Sequence, residues 1–279
     1  QIAPRINSAG RLEDASIALE FFTAKDTHTA YKQFELLGKL NDLRKETEAE
    51  CTKEAIISAD ASADIIVVAK EGWHEGVVGI VAARLVDKFG KPAIVLSIKD
   101  GVAKGSARSI GEVSIYELIK ANEQLLTKFG GHKMAAGLGL RLENIDAFRD
   151  AINSSASKLS RDDFIPKTRV SGILSSEDID FELLSLLDSF EPFGEANPRP
   201  SFLIKDAEIL SIKTMGKDKS HCRITLRQFQ HERKTLELIL FREVLEMPKT
   251  RKITCSYTIT KNEFNNRVSL QLLINKIYL

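Results

Sequence analysis

At 279 residues, with 43% hydrophobic and 28% charged side chains, the chain has the make-up of about two globular domains. No stretch approaches the roughly 20 apolar residues of a membrane span, and Cys51, Cys222 and Cys255 form no C-x-x-C pair, so neither a zinc site nor a disulfide framework is indicated and a reducing, cytoplasmic setting is expected. The net charge of +1 conceals an asymmetry: residues 201–279 hold 15 Lys and Arg against 8 Asp and Glu, a basic third suited to a polyanion, although a solvated surface explains it equally well.

Residues 1–12 combine Pro4 and Gly10 with Arg5 and Arg11 and are read as a loop or turn entering a helix. Two arginines near a glycine can reach a phosphate backbone; pairing with Glu13 or Asp14 accounts for them at least as well. Asp14 is read as the cap of a short helix ending near Ala24. A second helix is predicted from just after Asp26 to about Ser58. Phe34, Leu37 and Leu40 mark one edge of its apolar stripe, and Leu36, Leu40 and Leu43 the other. Its second half, Arg44 to Glu54, is mostly charged, which suits a connector between domains.

Asp64–Ala69 is apolar and β-branched, a buried strand. A turn over Glu71–Gly76 leads to a helix over Val77–Phe89, whose Gly79, Ala82 and Ala83 form a small-residue face. Gly90 and Pro92 stop that helix, and Ala93–Ile98 is a second strand, giving a parallel βαβ unit. His74 stands where the first strand ends, a usual ligand position in open α/β sheets, yet a lone histidine is more often a structural hydrogen-bond partner. Trp73 is assigned to the core.

The stretch Gly101–Gly139 organises the chain. A strand is predicted over Gly101–Ile110, and a helix carrying Ile115, Leu118, Ile119, Leu125 and Leu126 is predicted between two turns. The first turn is Gly105-Ser106-Ala107-Arg108-Ser109; the second is Gly130-Gly131-His132-Lys133. Glycine lets backbone approach a ligand, serine hydroxyls and the guanidinium fork hold anions, and His132 adds a titratable ring: together, the chemistry of a phosphate cradle. Taken singly, each turn is an ordinary turn or helix stop. A strand over Leu138–Leu142 and a helix over Asn144–Leu159 follow, with a boundary near 160–167.

The last part begins near Arg169, with a strand-like run to Leu174 and a helix around Phe181–Phe190. After the turn-rich 193–200 come six strand-like runs: Phe202–Ile204, Ala207–Lys213, Cys222–Leu226, Thr235–Phe241, Ile253–Ile259 and Val268–Ile277. Many short strands with polar turns predict a small barrel.

Three segments also carry a family likeness. QIAPRINSAGRL resembles the end of a catalytic DHH domain. GWHEGVVGIVAARLVDKFGKPAIVL, KGSARSI and FGGHKMAAG resemble a DHHA1 domain. FEPFGEANPRPSF resembles the entry to a terminal OB-fold, with Ala196 replacing that motif's second glycine. In this order they resemble the RecJ family of single-strand-specific 5′→3′ DNA exonucleases, which serve recombination and repair.

The resemblance implies an α/β DHHA1 domain, a mixed sheet with flanking helices, preceded by a long connector helix and followed by an all-β OB-fold barrel. The parts would be residues 1–60, 61–165 and 166–279. It implies that His132 serves the catalytic centre, and that Arg5, Arg11, His74, Gly105, Ser106, Arg108, Ser109, Gly130 and Gly131 bind substrate. Arg108 and His132 would converge on one anion-binding pocket. Lys217, Lys219, Arg223, Arg227 and Phe229, with Arg233 and Lys234, would form a DNA-binding patch on the barrel, though each alone also reads as core or solvated charge.

Two metal ions, Mn or Mg, would serve the family's hydrolysis. This chain has no Asp-His-His run, and His28, His74, His132, His221 and His231 are dispersed. The ligands are therefore expected in a DHH domain upstream of Gln1, and the chain, which opens in mid-motif, is expected to be a fragment without metal or activity of its own. Single-stranded DNA is the expected partner, with a single-strand-binding protein and a RecQ-type helicase as further candidates and no membrane. Two alternatives stay open: a phosphodiesterase of very short oligonucleotides or cyclic dinucleotides, and a DHH-like scaffold without metal ligands.

Overall fold

The computed structural model describes residues 2–194, 196–216, 218–227, 235–264 and 267–278, and the chain divides into two units, 1–167 and 168–279. In the first unit, Ile2–Leu12 is a helix, α1, where the sequence suggested a loop. Pro4 is tolerated because it lies in the first turn, where its missing N–H would have had no helical partner. The Ser8 hydroxyl donates to the Pro4 and Arg5 carbonyls. Helix α2 (Ser16–Thr23) begins where the Asp14 carboxylate accepts the Ser16 N–H at 2.7 Å. Helix α3 (Thr27–Ser58) begins where Asp26 accepts the Thr29 N–H at 2.8 Å, and it runs the full predicted length.

Leu37 and Leu40 of α3 are buried with Ala9 of α1 and Ala18 of α2. Leu36 and Leu43 are exposed, so the buried stripe is narrower than the apolar pattern implied. The charged half of α3 is fastened rather than merely solvated. Glu48 is buried and accepts hydrogen bonds from Arg44 and, at 3.1 and 3.2 Å, from Arg84 of the next helix. Glu54 accepts from the Trp73 indole at 2.7 Å and from Lys70 at 2.6 Å.

Strand β1 (Ile66–Glu71), helix α4 (Glu75–Phe89) and strand β2 (Ala93–Lys99) form the parallel βαβ unit. His74 caps α4, its Nδ1 accepting the Gly76 N–H at 3.0 Å, and Gly90 ends the helix at φ 63°. Strand β3 (Val102–Arg108) returns antiparallel to β2. Helix α5 is short, Ile115–Lys120. The predicted helix does not continue to Leu126: the buried Asn122 amide donates to the Leu118 carbonyl at 2.8 Å, a single 3-10 turn follows, and Leu126–His132 is strand β4. Gly130 and Gly131 are therefore strand residues, not a helix stop. Strand β5 (Ala135–Arg141) and helix α6 (Ile145–Ala156) complete the unit.

The strand order is β1-β2-β3-β5-β4. Ile94, Leu96, Ala103, Ala107 and Leu138 pack on one face against α5 and α6. Ile66, Val68, Ala93 and Val95 pack on the other against α4, with Cys51 and Ala55 of α3.

In the second unit the predicted strand Arg169–Leu174 is reduced to one bridge, Gly172 to Phe202. Helix α7 (Phe181–Asp188) is capped by Asp180, which accepts the Leu183 N–H at 2.8 Å. Strands β6 (Phe202–Met215), β7 (His221–Arg227), β8 (Thr235–Leu240), β9 (Lys252–Phe264) and β10 (Arg267–Tyr278) close a barrel in the order β10-β8-β7-β6-β9. The two short strands predicted over 202–213 are one strand, whose register with β9 shifts between Ile204 and Ala207, beside Asp206 at φ 48°. No helix among the described residues is long and apolar enough to cross a membrane.

Two substitutions test this architecture. Glu48→Ala leaves Arg44 and Arg84 without their shared carboxylate and should cost about 2 kcal/mol; urea unfolding followed through Trp73, the single tryptophan, reads it. A Cβ at Gly105 would lie 2.1 Å from the Val95 carbonyl oxygen and 2.7 Å from the Leu96 side chain. Gly105→Ala should therefore lower the same midpoint, by about 1–3 kcal/mol. An unchanged midpoint in either variant contradicts the corresponding packing.

Candidate functional site

Register places the predicted cradle on one face of the sheet. Arg108 of β3 pairs with Ala135 of β5, which pairs with His132 of β4. The next row is Ser106–Gly137–Gly130, and the one after it Lys104–Gly139–Lys128. Residues opposite one another on paired strands point to the same side, and neighbouring strands lie about 4.8 Å apart. Arg108 and His132 thus stand on one side at the same end, about 10 Å apart at the backbone. They are not the two flanks of a helix.

The middle of this face carries no side chains. A Cβ at Gly130 would meet nothing within 4 Å, and one at Gly137 only the Gly105 carbonyl oxygen, at 3.9 Å. A cavity of about 340 Å³ lies above this floor, lined by Glu75, Val78, Lys104, Ser106, Lys128 and Gly130, among others. Arg108 and His132 lie one register row beyond its lining.

Helix α4 holds the arginine side of the site. Gly79 leaves room on α4 for the Arg108 guanidinium and the Ser106 hydroxyl: a Cβ there would come within 3.2 and 3.3 Å of them. Arg108 is half-buried, and its Nη1 donates to its neighbour's carbonyl, Ala107 O, at 2.8 Å. Arg11, at the end of α1, donates from Nη1 to the Gly76 carbonyl at 3.2 Å. Burial pulls the Arg108 guanidinium below its ordinary value, and the nearby Arg11 charge lowers it further. Among the described residues no carboxylate pairs with either arginine. Two guanidiniums in each other's field, beside a serine and an empty floor, are equipped to take an anion.

The other candidates divide. His74 uses Nδ1 to cap α4, at the same helix end as Arg11. Gly105 lines the cavity with its backbone, and on the opposite side, where a Cβ would stand, it packs against Val95 and Leu96. Gly131 is needed locally: it sits at φ 148°, and a Cβ would clash with the Ala135 carbonyl oxygen at 2.4 Å. Ser109 does not join the site; it is buried and its hydroxyl donates to the Val113 carbonyl at 2.6 Å. Arg5 is engaged with α3, its guanidinium 4.3 Å above the Phe34 ring.

On the barrel, Arg223 and Arg227 stand 3.6 Å from Glu237 and Glu208. Lys219 is exposed. Lys217, Phe229, Arg233 and Lys234 lie outside the described residues. Gly79, Gly137, Lys104 and Lys128 belong to the site and were not singled out for it. The alternating glycines of Gly137-Leu138-Gly139 were the readable sign, since on a strand they clear one face.

Comparison with known proteins adds to this geometry. The model of the DHHA1 domain matches residues 62–158, and that of the RecJ OB domain matches 170–276. The single-stranded-DNA-specific exonuclease RecJ of Bacillus subtilis (strain 168) is 37% identical over 284 residues, covering 98% of this chain and 36% of its own length. Its Haemophilus influenzae counterpart is 31% identical over 299 residues, covering 99% and 50%. The crystal structure of RecJ in complex with Mg2+ from Thermus thermophilus matches with a TM-score of 0.83 at 26% identity, over 99% of this chain and 42% of that one. The chain thus spans about a third to a half of the length of the curated relatives it matches. With both domain models matched in order and the likeness running from end to end, the chain belongs to the RecJ family, in the part that carries its DHHA1 and OB domains.

Proposed function

We propose that this chain is the nucleic-acid-holding part of a single-stranded-DNA-specific 5′→3′ exonuclease, and that Arg108, Arg11 and Ser106 hold a phosphate at the strand's 5′ end. The observation that carries this reading is the unneutralised arginine pair beside a floor without side chains. An arriving phosphate accepts charge-assisted hydrogen bonds from the guanidinium fork and relieves the repulsion between the two cations. His132, in the same register row as Arg108, borders the open floor and is assigned to positioning the next phosphate. An end pocket of this kind gives direction without reading bases. The closed barrel favours a strand of several nucleotides over the very short substrates of the phosphodiesterase alternative.

RecJ of Thermus thermophilus has been crystallised with Mg2+ and with Mn2+. The residues described here do not fit such a centre: no group of three His, Cys, Asp or Glu is placed to hold a metal ion. The Asp-x-Asp run of the sequence, Asp178-Ile179-Asp180, does not supply one, since Asp180 caps α7. No hydrolytic step is therefore assigned to these residues; their part is to bind, orient and leave the floor open.

Arg108→Ala should weaken binding of a 5′-phosphorylated oligothymidylate about ten- to a hundredfold and that of its 5′-hydroxyl form much less. Fluorescence anisotropy at fixed salt reads both; equal losses for the two ends would remove Arg108 from the end pocket. The purified chain should leave labelled single-stranded DNA intact when Mn2+ is added. Metal-dependent digestion would show that this chain carries a catalytic centre after all.

A further inference from the structure

Arg108 and His132 share a register row, and each is the last residue of its strand. Their spacing therefore depends on the turns that follow them. The turn after β3, residues 109–114, is bonded to the turn between β4 and β5. The Ser109 N–H donates to the Met134 carbonyl at 3.0 Å, and the Ile115 N–H donates to the Lys133 carbonyl at 3.0 Å. Between these two bonds the Lys133 ammonium meets the Glu112 carboxylate. The residues that adjoin Arg108 and His132 are thus fastened to one another's turns.

The 109–114 turn is itself anchored from behind. The Ser109 hydroxyl donates to the Val113 carbonyl at 2.6 Å, and Val113 is buried. Gly111 stands at φ 59°, and a Cβ there would lie 2.2 Å from the Asp163 carbonyl oxygen. The Glu112 N–H donates to that same oxygen at 2.7 Å. Asp163 belongs to a 3-10 turn, Arg161–Phe164. Arg161 bonds the Asp64 carboxylate ahead of β1, and Phe164 packs on the core. The main chain of Glu112 is therefore fixed on one side while its carboxylate reaches Lys133 on the other. A carboxylate presented from a fixed backbone loses less freedom on pairing than one on a loose turn.

We propose that Glu112 and Lys133 are positioning residues: their ion pair sets the spacing of Arg108 and His132, and neither side chain touches the substrate. The assignment rests on reading Arg108 as the holder of the end phosphate. Charge alone gives the opposite sign. Glu112 is a negative charge four residues from Arg108, and Lys133 adjoins His132. Removing the carboxylate and freeing the ammonium would, on charge alone, strengthen the hold on a phosphate. Positioning requires instead that the hold weakens, because the two strand ends are then joined by main-chain bonds only.

Whole chain is titrated into oligothymidylate labelled at its 3′ end and carrying either a 5′-phosphate or a 5′-hydroxyl. The readout is the ratio of the two affinities, since a loss of folded protein scales both equally and cancels. Glu112→Gln should lower the ratio about threefold, the range of a half-exposed ion pair. Glu112→Lys should lower it further, and adding Lys133→Glu to that variant should restore it. A ratio that is unchanged or raised in Glu112→Gln overturns the proposal. So does a double variant that stays as low as Glu112→Lys, which would make Lys133 a phosphate ligand in its own right. If wild-type chain shows no preference between the two ends, the end-pocket reading falls and takes this pair with it.

Discussion

Arg11 and Arg108 repel one another, so their proximity has to be imposed by the rest of the first unit. Several features impose it. Arg108 lies along α4 because Gly79 leaves room there. Arg11 is held to α4 through the Gly76 carbonyl. Helix α3 is clamped to α4 by Glu48 and Arg84, and to the turn before α4 by Glu54 and Trp73. Buried and charge-assisted bonds stabilise elsewhere what two like charges destabilise at the site. Two guanidiniums fixed in this way would need little further ordering to hold an anion.

The floor depends on register as much as on composition. Ser106, Gly137 and Gly130 share a face only because β3, β5 and β4 pair as they do. A slip by one residue would turn Ala107, Ala136 and Gly131 toward the cavity and Ser106 toward the core. Gly105 helps to prevent that slip, since it lets β3 lie close against the Val95 carbonyl. The glycine of the KGSARS segment thus fixes the packing of the sheet, while its serine and arginine stand on the side that faces α4.

Local chemistry was legible in the sequence. Asp26 marked the start of α3, Gly90 the end of α4, and β-branched runs marked β1 and β2, because capping, left-handed turns and strand periodicity are decided by near neighbours. The barrel strands were legible for the same reason. Less legible was anything settled by residues distant in the chain. Leu125 and Leu126 matched helical spacing, yet the Asn122 amide closes α5 before them. Ser109 and Arg108 looked equivalent in one short motif; one hydroxyl turns inward to Val113 while the guanidinium reaches α4. Arg223 and Arg227 read as free charge because Glu237 and Glu208 lie on other strands. The likeness to a family named the function class, and only the folded chain could sort its residues into those that meet and those that do not.

The contact at Gly76 has a mechanical side. A Cβ on this residue would sit 1.9 Å from the Arg11 carbonyl oxygen, so α1 and the first turn of α4 touch backbone to backbone. Side chains can change rotamer and absorb a displacement; two main chains in direct contact cannot. Any residue with a side chain at position 76 would therefore push α1 away from the start of α4, and with it the Arg11 guanidinium that bonds the Gly76 carbonyl.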